Sequence, residues 1–191
     1  ITQLKNVNLK VICTTDSDKA KKILSKKKYK NIIYYQRSKK LSNDKALTYD
    51  VVTDVINKSN ENFEYILLLQ PTCPFRRVND IKKSINLLTK NFESVVSISS
   101  VGSYHPFRMK KYNKNNSNLE NFIDQGFEDM RPIQKIMPLY IRSGSIYLTK
   151  LDSLKKNKSL VGSKCKGILL TSKYAINIDD KYDFQYAQTF I

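Results

Sequence analysis

The segment Ile66–Arg76, with the sequence ILLLQPTCPFR, changes abruptly from an apolar run to polar residues. The apolar run ends at Gln70, and a helical pattern begins again near Asp80. This pattern predicts a buried β-strand whose carboxyl end carries polar groups. In open α/β sheets, ligands bind in the crevice beyond such strand ends, which places Gln70, Thr72 and Arg76 near a ligand. A Pro-rich connection between a strand and a helix has the same pattern, so both interpretations stay open.

Short apolar runs alternate with amphipathic helical patterns along the rest of the chain. The predicted strands are Val11–Cys13, Asn31–Tyr35, Tyr65–Leu69, Ser94–Ser99, Ser145–Tyr147 and Ile168–Leu170. One predicted helix follows Asp16 and ends near Ser25. The other predicted helices cover Asp44–Lys58, Asp80–Leu88 and Tyr182–Phe190. Strands and helices in this order form a mostly parallel sheet with helices on both faces. We therefore predict a three-layer α/β/α sandwich.

Length and composition favour a single domain over residues 1–191, because 191 residues with 40% hydrophobic side chains can bury a substantial core. The sequence has no apolar run of about 18 residues, the length that a membrane span requires. Its amino-terminal part also lacks the apolar core of a signal peptide. We expect a cytoplasmic protein with no membrane partner. The three cysteines lack CxxC spacing, which argues against a disulfide framework and a zinc site.

The formal net charge of +17 would ordinarily suggest binding to nucleic acid. The excess is mostly lysine, spread over helix faces and loops together with many Asn, Ile and Tyr residues. All four residue types have AT-rich codons, so compositional drift explains the charge, and a preference for anionic ligands is the alternative. A nucleic-acid-binding domain requires clustered cations with exposed aromatic side chains, a pattern that the sequence does not show. We expect no nucleic-acid partner.

The segment Gly102–Pro138 interrupts the alternation of strands and helices. It contains a polar run, Tyr112–Asn118, and the isolated aromatic residues Phe122 and Phe127. A loop of this length inside a compact domain usually has a function or a partner. The alternative is a surface excursion without fixed structure.

Several motifs resemble the acylneuraminate cytidylyltransferases, which activate sialic acids and related nonulosonic acids with CTP. The sequence LLLQPTCPFR followed by Asp80 is similar to the family's LLQPTSPLR…DI, and further motifs follow in the family's order from Val11 to Ala187. The resemblance implies a nucleotide-diphospho-sugar transferase-like fold. It also implies that CTP and a nonulosonic acid form a CMP-sugar and pyrophosphate for surface glycans such as lipopolysaccharide or capsule. In the family, the segment matching Gly102–Pro138 is an arm that packs against a second subunit, so a homodimer is implied.

The segment Ala175–Asp180, AINIDD, resembles the family's Asp-x-Asp pair, which holds Mg²⁺ against the triphosphate. Residues two apart on an extended segment point the same way, so Asn177 and Asp179 share a face. The resemblance implies that Asp179 is catalytic and that Asp179 and Asn177 hold the metal. Asn177 replaces a carboxylate by a neutral oxygen, which predicts weaker metal binding, and Asp180 is a possible substitute. Without the resemblance, this string indicates a turn or a helix cap.

Four more residues carry over from the family's nucleotide and catalytic motifs. A segment that resembles Arg-Pro-x-x-Leu-x-x-Asp-x-Ala implies that Arg37 binds the phosphates and that Thr48 contacts the nucleotide. A match to His-Pro-x-Lys implies that Arg108 lies near the carboxylate of the sugar acid, and Arg131 matches the arginine of Arg-Gln-x-Leu-Pro, a catalytic position. The single histidine, His105, precedes a proline, so we expect it to be structural and not a general base.

The resemblance also implies a sugar pocket. Gln70 lies where the family contacts the sugar, and Tyr147 belongs to a segment similar to Asn-Gly-Ala-Ile-Tyr that lines the pocket. Leu160 and Val161 are then the apolar neighbours of an acyl group.

The amino end departs from the family. The family's first strand and its Ala-Arg-x-Gly-Ser-Lys phosphate loop have no match, and no glycine precedes Gly102. We expect the chain to be amino-terminally incomplete and weakly active or inactive as it stands, because charge-assisted bonds to the triphosphate are lost. Two alternatives stay open: a related sugar nucleotidyltransferase that uses Kdo or a sugar phosphate, and an inactive remnant homologue.

Overall fold

The computed structural model describes residues 8–26 and 32–191, and the predicted strand start at Asn31 lies outside them. In chain order, the strands within this part are β1 (Val11–Thr15), β2 (Ile32–Gln36), β3 (Tyr65–Leu68), β4 (Ser94–Ser100), β5 (Lys110–Tyr112), β6 (Leu119–Asn121), β7 (Tyr140–Lys150) and β8 (Cys165–Leu169). The α-helices are α1 (Asp18–Lys26), α2 (Thr48–Ser59), α3 (Val78–Leu87), α4 (Leu151–Asn157) and α5 (Lys181–Gln188).

The main sheet has four strands in the order β3-β7-β4-β8. Strand β7 runs antiparallel to both of its neighbours, and β4 and β8 are parallel. Three strands therefore point the same way and β7 is reversed. Strands β1 and β2 form a separate parallel pair, which contacts α2 through the Tyr35 hydroxyl on the Lys58 carbonyl at 3.4 Å. The predicted α/β class with a largely parallel sheet is confirmed, whereas the reversal of β7 was not predicted.

The helices cover both faces of the main sheet because successive strand residues point to opposite sides. On one face, Ile66 and Leu68 pack against a cluster formed by Val52 of α2 and by Leu154 and Leu160 in and after α4. The other face of β3 packs toward α3, where Ile81 and Ile146 are almost fully buried. Burying a side chain such as Ile146 stabilises the fold by about 2 kcal/mol.

Several elements differ from the sequence prediction, and β7 and α4 differ most. Strand β7 begins at Tyr140 and ends at Lys150, well beyond the predicted Ser145–Tyr147. Helix α4 was not predicted at all, because its sequence LDSLKKN offers only two apolar residues. Of these, Leu154 is 1% exposed, so tertiary packing stabilises a helix that is too short to show a clear period.

The segment Gly102–Pro138 contains a small hairpin in which β5 pairs antiparallel with β6. Both strands have three residues, and the side chains of Phe122 and Phe127 are each 54% exposed. At the base of the segment, His105 is buried and lies 3.1 Å from the Met137 carbonyl through Nε2. Its Nδ1 accepts a hydrogen bond from the Phe107 N–H, which is a structural role.

None of the helices in residues 8–26 and 32–191 combines the length and the apolar character that crossing a membrane requires.

Candidate active site

Strand β7 bulges opposite Ser97 of β4. Tyr147 pairs with Val96, and Arg142 pairs with Ile98. Only Ser97 lies between the two pairs on β4, whereas the four residues Ser143–Ile146 lie between them on β7. The Ser97 hydroxyl accepts hydrogen bonds from the Ile146 N–H and from the Ser143 hydroxyl, both at 2.8 Å. Bulges redirect side chains next to functional sites, and here the redirected segment faces the carboxyl end of β3.

Gly144 lies in this bulge with a φ angle of +78°, in the left-handed region that favours glycine. A Cβ atom at this position would lie 2.8 Å from Gln70 Oε1 and 3.9 Å from Asn177 Oδ1. The missing side chain therefore allows the bulge to approach Gln70, while Asn177 lies at an ordinary contact distance. The Ile178 N–H donates to the Thr72 carbonyl at 2.8 Å, which joins the two segments that carry Gln70 and Asn177.

These segments enclose a cleft of about 360 Å³. Its lining includes Gln70, Ser99, Arg142, Gly144, Tyr147 and Asn177. The structure thus brings together three residues that the sequence analysis assigned to sugar or metal binding: Gln70, Tyr147 and Asn177. Arg142 was missed, because an arginine inside a strand gives no signal of its own in one sequence.

Arg76 uses its guanidinium for contacts within the protein, whereas the sequence interpretation placed it near a ligand. Its Nε donates to the Ser145 carbonyl and its Nη2 to the Gln70 carbonyl, both at 2.7 Å. Burial of the guanidinium lowers the pKa of Arg76. The side chain therefore joins the bulge of β7 to the end of β3.

Cys73, Asn177 and Asp179 form a hydrogen-bonded row beside the cleft. Burial raises the pKa of the Cys73 thiol, which stays protonated and lies 3.5 Å from Asn177 Oδ1. The Asn177 Nδ2 donates to Asp179 Oδ2 at 2.5 Å. The amide oxygen of Asn177 consequently faces the buried thiol, and its N–H group faces the only carboxylate of the row.

This arrangement bears on the expected Mg²⁺, which takes oxygen ligands. In the described part of the chain, no three His, Cys, Asp or Glu side chains come together as a metal-binding group. Asp180 is not a substitute ligand, since it caps α5 by accepting from the N–H groups of Tyr182 and Asp183 at 2.7 and 2.9 Å. As placed, Asn177 presents its amide oxygen to Cys73 and its N–H group to Asp179, so its oxygen would have to turn before it and Asp179 hold a cation together.

The two arginines near the base of the Gly102–Pro138 segment are held by the protein. Arg131 donates to the carboxylate of Asp129 at 2.9 Å from Nε and 2.7 Å from Nη2. Asp129 is 2% exposed, and these hydrogen bonds lower its pKa to about 2. Arg108 Nη2 in turn donates to the Arg131 carbonyl at 2.5 Å. Neither arginine is part of the cleft lining. The sequence analysis did not identify Asp129, two residues before Arg131, as the partner of this arginine.

The residues expected to bind the nucleotide lie on other elements. Arg37 follows β2, where its guanidinium lies 3.3 Å from Asp16 and donates to the Ser42 hydroxyl at 3.1 Å. Thr48 is the exposed first residue of α2, next to a second cleft of about 540 Å³ formed by the segment 40–50. The cleft beside Gly144 includes neither residue.

The two residues expected to contact an acyl group occupy different environments. Leu160 is 8% exposed and belongs to the core with Val52 and Leu154, whereas Val161 is half-buried. Tyr147 packs against this core cluster and also lines the cleft. Leu160 therefore belongs to the core cluster against which Tyr147 packs, and it is not part of the cleft lining.

No family model matches the chain. Among curated proteins, N-acylneuraminate cytidylyltransferase of Streptococcus agalactiae serotype V is 25% identical over 91% of this chain and 40% of its own length. CMP-N,N'-diacetyllegionaminic acid synthase of Legionella pneumophila is 27% identical over 91% of this chain and 74% of its own. The chain thus spans about two fifths of the length of the streptococcal relative.

Solved structures show the same fold. The 4-diphosphocytidyl-2C-methyl-D-erythritol synthase of Anaerococcus prevotii superposes with a TM-score of 0.64 at 15% identity, over 99% of this chain and 81% of its own. A CMP:2-keto-3-deoxy-manno-octonic acid synthetase, solved with CTP, superposes with a TM-score of 0.64 at 13% identity. The superposition covers 99% of this chain and 83% of the synthetase chain. The resemblance indicated by the motifs is thus confirmed: over 91% of its length, the chain is homologous to curated proteins named N-acylneuraminate cytidylyltransferase and CMP-N,N'-diacetyllegionaminic acid synthase.

Proposed function

We propose that this protein is a cytidylyltransferase that transfers CMP from CTP to a sialic-acid-like nonulosonic acid and releases pyrophosphate. The observation that carries the proposal is the convergence of Gln70, Gly144, Tyr147 and Asn177 on one cleft at the carboxyl end of β3. This is the edge at which open α/β sheets bind ligands. The names of the homologues supply the reaction and the substrate class.

In the reaction, the anomeric hydroxyl oxygen of the sugar acid attacks the α-phosphorus of CTP, and the bond to the β-phosphate oxygen breaks. The Gln70 amide is available to hydrogen bond sugar hydroxyls, and the Tyr147 ring forms one wall of the cleft. The absence of a side chain at Gly144 lets the bulge approach Gln70 closely. Mg²⁺, held by Asp179 and Asn177, would offset the negative charge of the triphosphate.

The nucleotide is proposed to lie toward Arg37 and Thr48. Arg37 is only partly neutralised by Asp16, which lies 3.3 Å away with 46% of its side chain exposed. An arginine with free N–H groups suits phosphate oxygens. Arg131, oriented by Asp129, is the proposed catalytic arginine, and it would reach the substrate from the base of the Gly102–Pro138 segment.

The proposal includes a homodimer built on the Gly102–Pro138 segment. Its support is the group of apolar side chains that this segment exposes, with Phe122 and Phe127 each 54% exposed and Met130 82% exposed. Exposed apolar groups of this kind mark interaction surfaces. We propose that the dimer acts in the cytoplasm, where CTP is available, in the synthesis of surface glycans.

A non-catalytic homologue is a second candidate, and one observation favours it. The Asn177 N–H group donates to Asp179, so the amide satisfies the carboxylate that a cation would otherwise neutralise. A remnant enzyme could tolerate this arrangement, because it no longer needs the metal.

The test is to incubate the purified protein with CTP, MgCl₂ and N-acetylneuraminic acid, N,N'-diacetyllegionaminic acid or Kdo, and to measure CMP-sugar and pyrophosphate. With a nine-carbon acid we expect equal amounts of both products, formed at a low rate, because the sequence has no match to the family's phosphate loop. Product with Kdo alone would assign the related activity. Absence of product with every acid, together with no CTP binding by calorimetry, would identify the non-catalytic homologue.

A further inference from the structure

Arg142 differs from the other arginines of the chain. The chain has six arginines, all in the described part. The guanidinium groups of Arg37, Arg77 and Arg131 pair with Asp16, Asp80 and Asp129, and those of Arg76 and Arg108 donate to backbone carbonyls. Within residues 8–26 and 32–191, Arg142 alone has no hydrogen-bond or ion-pair partner for its guanidinium.

The bulge of β7 places this arginine beside the candidate active site. Arg142 is the last regularly paired residue before the bulge, opposite Ile98 of β4. It is exposed, and it lines the same cleft as Gln70, Tyr147 and Asn177. Since the bulge is fixed by Ser97 and Arg76, the backbone that carries Arg142 is held in place without using its side chain.

The charges around the cleft leave this cation uncompensated. Asp179, the carboxylate next to Asn177, accepts a hydrogen bond from the Asn177 amide at its Oδ2 and forms no ion pair with Arg142. An arginine that no protein group satisfies, next to a cleft, is ready to pair with an anionic ligand at little cost in rearrangement. The planar guanidinium fork matches the planar carboxylate group in particular.

We infer that Arg142 binds the carboxylate of the sugar acid and selects an acidic sugar over a neutral one. The inference rests on the proposed function and assigns to Arg142 the role that the sequence analysis gave to Arg108. The guanidinium of Arg108 donates to the Arg131 carbonyl and does not line the cleft. The sugar side of the cleft favours the carboxylate as the ligand, because Gln70 and Tyr147 share it. A phosphate of CTP has related chemistry and is distinguished by the experiment.

The experiment compares binding of two anions by calorimetry. N-acetylneuraminic acid is titrated into the protein with MgCl₂ and CMP present, and CTP is titrated separately. We expect Arg142→Ala to weaken binding of the acid by about 10- to 100-fold, the loss of one charge-assisted hydrogen-bonded pair, and to change CTP binding less than twofold. Arg142→Lys should recover part of the affinity. The methyl ester of the acid should bind the wild-type protein weakly and should be insensitive to Arg142→Ala.

Lys83→Ala is the matched control, because it removes the same charge from an exposed position on α3. It should leave binding of the acid unchanged. Equal affinity of wild type and Arg142→Ala for the acid would overturn the inference while leaving the proposed function intact. A loss confined to CTP would also overturn it and would assign Arg142 to phosphate. If the wild-type protein binds neither CTP nor the acid, the proposed function fails and the inference fails with it.

Discussion

The cleft beside Gly144 and the Gly102–Pro138 segment differ in how their side chains are bonded and in which side chains are exposed. Beside the cleft, the polar side chains of Cys73, Asn177 and Asp179 are hydrogen bonded to one another within the chain. In the Gly102–Pro138 segment, apolar side chains are exposed and the regular structure is limited to two strands of three residues. Exposed apolar groups of this kind mark interaction surfaces, so the proposed homodimer depends on the segment and the proposed chemistry depends on the cleft.

The strongest test of the cleft is Asp179→Ala. Under the proposed function, loss of the only carboxylate of the row should lower the rate of CMP-sugar formation by about a thousandfold, because the charge that balances the metal is lost. The fold should persist, since Asp179 is exposed. The rate and the circular dichroism spectrum are the measurements, with Asp152→Ala on α4 as a control for an exposed carboxylate. Full activity of Asp179→Ala would move the metal site elsewhere.

The corresponding test of the Gly102–Pro138 segment is the double substitution of Phe122 and Phe127 by Asp. Two charges on an apolar interface should weaken a dimer by at least about a hundredfold, so that sedimentation velocity shows a monomer at micromolar concentration. Deleting the polar run Tyr112–Asn118 should leave the dimer in place. An unchanged dimer in the double variant would remove these aromatic residues from the interface, and a monomeric wild-type protein would refute the proposed homodimer.

A pair of glycines compares the two regions directly. Gly144 and Gly126 have similar φ angles of +78° and +76°, but a Cβ on Gly144 meets Gln70 Oε1 at 2.8 Å, whereas a Cβ on Gly126 has no neighbour within 4 Å. Gly126→Ala should therefore cost only backbone strain, about 1 kcal/mol of unfolding free energy. Gly144→Ala should cost about 1 to 2 kcal/mol more and raise KM for the sugar acid about tenfold. Denaturant unfolding and steady-state kinetics check both. Equal effects of the two substitutions would show that the approach of Gly144 to Gln70 has no consequence.

The smallest expected effect belongs to Asn177→Asp. A second carboxylate beside Asp179 replaces a hydrogen-bond donor by an anion, so Mg²⁺ should bind several-fold more tightly. Without Mg²⁺, the same substitution should lower the melting temperature slightly, because two like charges then lie side by side. The Mg²⁺ concentration for half-maximal activity and thermal melting with and without EDTA are the measurements. An unchanged Mg²⁺ requirement would contradict a role of Asn177 in metal binding.

Much of the sheet could be predicted because its strands carry their own signal. The apolar run before Gln70 predicted β3, and its alternate residues pack on opposite faces as expected. The reversal of β7 could not be predicted, since it depends on how the chain returns after Gly102–Pro138. Helix α4 was also not predicted, because burial of Leu154 stabilises it and no local sequence pattern indicates it.

Part of the candidate site could also be predicted, because some of its residues carry a local sequence signal. Polar residues at a strand end, such as Gln70, are visible in one sequence because they interrupt an apolar run. The roles of Arg76 and Arg142 are not visible in one sequence, because they depend on which groups lie nearby after folding. Arg76 donates to Ser145 far away in the chain, and Arg142 is distinguished by having no partner among the described residues.

The hydrogen bond from Ile178 to Thr72 has a consequence for the order of folding. It joins a turn in the first half of the chain to a segment near its end, and the entropy of closing so long a loop must be overcome before the bond forms. Contacts of such high sequence separation form late. Thr72 leaves the ribosome well before Ile178, so a nascent chain can pair β4 with β7 while the cleft is still open on one side. Pulse-labelled hydrogen exchange should therefore protect the Ile178 amide after those of β4.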